Sequence, residues 1–118
     1  MANISFQEVQ ETNDVAGTLR FGFTDYNMST GNTAAAAWAF SPDSGAQNGD
    51  IWLAQSTVND DFSQGTGYGF ATLLHEIGHA LGLKHPFDNS PNLSSSLDKT
   101  TYTLMSYTDD SYAQVGSE

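Results

Sequence analysis

The chain has 118 residues, with 14 acidic and 3 basic side chains for a formal net charge of -11, 38 % apolar residues and no cysteine. That length and apolar fraction fit one domain over residues 1–118 with a modest core and long loops. The charge excludes nucleic acid and anionic membrane surfaces as partners, and the lack of cysteine excludes disulfides, thiolate metal sites and a cysteine nucleophile.

Residues 3–9 alternate apolar and polar and predict a first strand, with no apolar leader before it, so an export signal has been removed or lies outside the chain. Residues 10–17 read as a polar loop. Residues 18–24 (T-L-R-F-G-F-T) predict a second strand with Leu19, Phe21 and Phe23 on its core face. Residues 25–33 are rich in turn formers. Residues 34–40 (A-A-A-A-W-A-F) have alanine's helix propensity. Trp38 and Phe40 nevertheless alternate with alanine, and Ser41-Pro42 stops the run, so an extended segment is predicted. Its small side chains let another backbone come close. Residues 49–56 (G-D-I-W-L-A-Q-S) predict a strand with Ile51 and Leu53 inward and Trp52 packed on the other face.

Residues 59–69 form a loop with three glycines and no phosphate-cradling G-x-x-x-x-G-K pattern. A helix is predicted from about residues 65–68 to Leu81, with an apolar stripe of Phe70, Leu73, Leu74, Ile77, Ala80 and Leu81 at spacings of three and four. Beyond it, residues 85–99 are irregular, since Pro86 and Pro91 exclude a continuing helix. Residues 102–107 (Y-T-L-M-S-Y) are a short apolar island, and the end to Glu118 is predicted to fray.

The chemistry concentrates in residues 75–85, H-E-I-G-H-A-L-G-L-K-H, which hold all 3 histidines of the chain. H-E-x-x-H on a helix puts His75 and His79 on one face, one turn apart, where both can chelate one metal ion. Glu76 then sits where a carboxylate reaches an attacking water. Gly82 can take positive φ, end the helix and swing His85 back toward the other two. Three neutral imidazoles with an open fourth position describe a catalytic zinc site rather than a closed structural one.

Residues 75–86 followed by Leu104-Met105-Ser106-Tyr107 resemble the metzincin zinc peptidases, and among them the serralysin group. The proline after His85 and the form of the downstream Met island carry that finer likeness. The resemblance implies an α+β, zincin-like catalytic domain: a small twisted mixed sheet packed on an active-site helix (residues 3–83), then a loop-rich part with the third zinc ligand and a Met-turn (residues 84–118). It implies one catalytic Zn2+ on His75, His79 and His85, with Tyr107 as a further ligand in the resting state. Glu76 would be the general base, Met105 the floor beneath the metal, and Tyr107 the phenol that stabilises the transition state. Calcium is a further cation the family can use, although the chain carries no calcium-binding repeats.

The expected activity is secreted, zinc-dependent endopeptidase action on peptide or protein substrates. An edge strand through Ala36, Ala37 and Trp38 would bind the substrate by strand addition. The alternative carried by the same residues is a zinc-binding but catalytically silent domain that needs further segments or a partner chain. An exposed sheet edge would suit such association, including self-association.

Overall fold

A computed structural model describes residues 3–25, 35–65 and 67–108. The loop expected over residues 25–33, apart from Asp25, and the end from residue 109 lie outside the described residues. Among the described residues three strands form one mixed sheet: β1 (Arg20–Thr24), β2 (Ala37–Ala39) and β3 (Asp50–Ala54), in the order β1-β3-β2. β1 runs parallel to β3, and β2 runs antiparallel to it. Ile51 and Leu53 of the central strand are buried, as their spacing predicts. The β2–β3 pairing continues past β2, with Ala54 N donating to Ala36 O (2.8 Å) and Phe40 N to Asp50 O (2.9 Å).

One ion pair marks the parallel register. Arg20 stands opposite Asp50, and its guanidinium donates to both carboxylate oxygens, at 2.6 and 2.8 Å. That forked geometry is among the stronger polar contacts a protein makes, and it raises the Arg20 pKa further. On the same face Trp52 lies over Gly22 and stacks on Trp38, with ring centroids 6.0 Å apart. Trp52 is therefore packing, as expected.

Among the described residues the one α-helix, α1 (Tyr68–Ala80), packs against β2 and β3. Its boundaries agree with the sequence reading to within a residue or so. Its burial does not follow the apolar stripe. The buried helix residues are His75, Glu76, Gly78 and Ala80, while Phe70, Leu73, Leu74 and Ile77 are half-buried. Among the described residues, no helix is long and apolar enough to cross a membrane.

Two expectations are corrected. Residues 3–9 form no strand, and Ile4, Phe6 and Val9 are 55, 68 and 44 % exposed. An alternating pattern becomes a strand only where a neighbour supplies ladder partners and a face to bury. Among the described residues nothing pairs with this segment, so the sheet starts at Arg20. Phe21 and Phe23 are also exposed rather than core. They share a face with Ile51 and Leu53, but α1 covers only the β2 and β3 side of that face, leaving the β1 side open.

Gly22 is the tightest point of the Trp52 face. A Cβ there would meet the Trp52 ring at 2.7 Å. Gly22→Val should destabilise the chain by about 1–3 kcal/mol despite valine's better strand propensity. Urea unfolding checks this, and an unchanged midpoint would count against the packing described.

Candidate metal centre

Helix α1 delivers His75, Glu76 and His79, and its ending delivers His85. The last turn closes with two main-chain bonds: Gly82 N donates to His79 O (2.9 Å) and Leu83 N to Gly78 O (2.9 Å). Gly82 has φ +97, a conformation that side-chain-bearing residues rarely adopt. This glycine-terminated helix end reverses the chain as the sequence predicts. It returns His85 to the face that holds His75 and His79.

The three rings meet at one point. His75 Nε2 lies 3.3 Å from His85 Nε2, and His79 Nε2 lies 3.0 Å from the same atom. The opposite nitrogen of each ring has its own partner. His75 Nδ1 is 2.8 Å from Leu104 O, and His79 Nδ1 is 2.9 Å from Leu83 O. His85 Nδ1 is 2.8 Å from Asp88 Oδ2. Carbonyl and carboxylate oxygens only accept, so each Nδ1 carries the proton and donates it. Each Nε2 of a neutral ring is then left with a lone pair, and three such lone pairs converge. They have no proton to share, so the arrangement suits a cation. Among the described residues, this is the cluster whose side chains could hold a metal ion, with ligand atoms all within 4.8 Å. Zinc–imidazole bonds of about 2.0–2.1 Å in a tetrahedron put neighbouring nitrogens roughly 3.3 Å apart, so the donor set fits.

Electrostatics favours the metal-ready state. Burial lowers the pKa of His75 and His79, against a raising effect from their carbonyl partners, which keeps both neutral. Burial raises Glu76 to about 7. Its carboxyl thus changes charge near neutral pH, where a proton-transferring group is most effective.

Residues 98–108 supply the other wall. Ser106 Oγ donates to Asp98 Oδ1 (2.5 Å), and Met105 N donates to Thr103 Oγ1 (3.2 Å). Thr108 N donates to Ser106 Oγ (3.0 Å). These bonds aim the Leu104 carbonyl at His75 and bury Met105 under α1. A Cβ on Gly78 would meet Met105 Sδ at 2.6 Å, so the missing side chain is what admits the sulfur. The Tyr107 ring stacks on His75 (5.6 Å, 20°) and leans on His85 (4.5 Å). Its pKa is raised, first by desolvation and then by the negative charges of Glu76 and Asp88, so the hydroxyl keeps its proton.

His75, Glu76 and Tyr107 open onto a cleft of about 440 Å³, also lined by Ala35, Ala36, Ala37, Ala71 and Thr72. Ala36 and Ala37, at and just before β2, thus face the cleft. The side chain of Trp38, expected with them, packs on Trp52 instead and does not line the cleft. The sequence reading missed Asp88, Asp98, Thr103 and Gly78. Of these, only Asp88 left a local signal, a carboxylate three residues after a predicted ligand.

A family model described as metallo-peptidase family M12 matches residues 2–115. The chain is 36 % identical over 121 residues to metallopeptidase AprA of Pseudomonas marginalis, covering 91 % of this chain and 24 % of that protein. It is 35 % identical over 121 residues to serralysin A of Dickeya chrysanthemi, covering 91 % of this chain and 23 % of that protein. It is 34 % identical over 120 residues to a serralysin of Photorhabdus laumondii, covering 91 % and 24 %. The chain thus spans about a quarter of the length of these curated relatives.

The raised Glu76 pKa has a thermodynamic consequence in the metal-free chain. The folded state holds the proton up to about 7, the unfolded state only to about 4.5. Stability is therefore fully present below 4.5 and falls as pH rises toward 7, by about 3 kcal/mol at most. Glu76→Gln should melt higher than the parent chain at pH 8 in chelator and coincide with it near pH 4.5. Melting curves that differ equally at both pH values would contradict the burial account.

Proposed function

The chain belongs to metallo-peptidase family M12, as a serralysin-like metzincin, and on that premise we propose that it is a zinc-dependent endopeptidase. The observation that carries the proposal is the convergence of three histidine Nε2 atoms beside a buried Glu76 at the mouth of a cleft. His75, His79 and His85 hold the metal, with three outer acceptors keeping each ring in the right tautomer. Zinc, when bound, supplies a Lewis acid that polarises the scissile carbonyl and acidifies the attacking water.

The chain's own residues do the rest. Glu76 takes the proton from the attacking water and returns it to the leaving amine. A metal cation nearby favours the carboxylate form, so the group starts as a base. The Tyr107 hydroxyl, protonated and held against His75 and His85, donates to the oxyanion as it forms and is free to serve as a resting-state ligand. Met105, seated under Gly78, is the floor beneath the histidines and forms the Met-turn. β2 is an edge strand of the sheet, and the cleft runs beside Ala36 and Ala37. A peptide laid there in extended form gains main-chain hydrogen bonds with little demand on its sequence. Peptides and proteins are the substrate class, and an extracellular setting suits the activity.

Hydrolysis of a quenched peptide tests the assignment. Glu76→Ala should keep one metal per chain and lower kcat/KM roughly 100- to 10,000-fold. Tyr107→Phe should also keep the metal and lower kcat by about 100-fold or more. Hydrolysis by the parent chain no faster than by Glu76→Ala would rule out the peptidase reading. Undiminished turnover in Tyr107→Phe would remove the phenol from the mechanism.

A further inference from the structure

Lys84 is one of only 3 basic residues in the chain, and it stands next to a predicted metal ligand. Among the described residues its ammonium is not spent on a carboxylate. It donates to three main-chain oxygens: Asp88 O at 2.8 Å, Asn89 O at 2.5 Å and Pro91 O at 2.8 Å. Three acceptors use all three protons of an ammonium group. The loop so gathered closes on itself through Asp88 N to His85 O (3.2 Å) and Leu93 N to Pro86 O (2.9 Å).

Asp88 is therefore gripped twice by consecutive residues. Lys84 takes its main-chain oxygen, and His85 Nδ1 donates to its carboxylate at 2.8 Å. The Asp88 side chain is 43 % exposed, so burial alone does not hold it in place. Without the ammonium, three carbonyl dipoles would crowd together with no positive charge at their focus. The residues carrying them would move apart, and Asp88 is one of them.

We propose that Lys84 is a positioning residue for the metal centre: an internal cation that orders residues 88–91, so that Asp88 fixes the tautomer and direction of His85. The proposal rests on the reading of His75, His79 and His85 as metal ligands. It concerns how the third ligand is held, since His85 lies beyond the helix that fixes the other two.

The test measures zinc affinity by competition with a chelator, and the visible spectrum of the cobalt-loaded protein. Lys84→Met keeps the stem and removes the three donors. It should weaken zinc binding about 10-fold and alter the cobalt spectrum. In an Asp88→Ala background, which removes the acceptor, the same substitution should change affinity less than about twofold, because both changes act through one contact. Zinc affinity within twofold of the parent, or an equal loss in both backgrounds, would overturn the proposal. A second readout needs no metal. In the metal-free chain labelled with ¹⁵N-histidine, the His85 Nδ1–H resonance should be sharp in the parent and broadened by exchange in Lys84→Met. A parent chain that takes up no zinc would defeat the metal reading alone. The imidazole resonance would then still decide for or against Lys84, and an identical resonance in both proteins would refute it.

Discussion

The centre depends on where three imidazole protons go. Leu104 O, Leu83 O and Asp88 each accept one Nδ1–H, so in the neutral ring Nε2 is the nitrogen left with a lone pair, aimed inward. None of the three acceptors lies on the helix that carries two of the rings. One sits in the reversal after the helix, one in the loop beyond His85, and one in the segment around Met105. The site therefore forms only when all three irregular stretches are in register with α1. That requirement gives the long non-helical part of the chain a structural purpose.

The scaffold meets the requirement with few apolar contacts and several specific close approaches. Gly82 permits the reversal, Gly78 makes room for Met105, and Gly22 makes room for Trp52. Asp98 and Thr103 hold the Met105 segment by hydrogen bonds rather than by burial. The Arg20–Asp50 fork sits on the register of the parallel pair that flanks the buried Ile51 and Leu53. A chain with 38 % apolar residues has to rely on such polar and steric devices where a larger core would otherwise suffice.

Legibility in the sequence followed the range of the physics. His75, Glu76, His79, Gly82 and His85 were readable because helix periodicity and a glycine reversal are local rules. β3 and the length of α1 were readable for the same reason. The segment over residues 3–9 failed because a strand needs a partner, and alternation alone does not supply one. Phe21 and Phe23 failed because core membership depends on what covers a face, and α1 covers only part of it. The outer acceptors were hidden for another reason: two are main-chain carbonyls, and any residue provides a carbonyl.

On the proposed function, the three histidines bind one metal through their Nε2 atoms. X-ray absorption at the zinc edge, on protein loaded with one equivalent of zinc, tests it most directly. A shell of three imidazole nitrogens at about 2.0–2.1 Å, with one further light ligand, is expected. A spectrum with fewer than three imidazoles, or one that His85→Ala leaves unchanged, would contradict it.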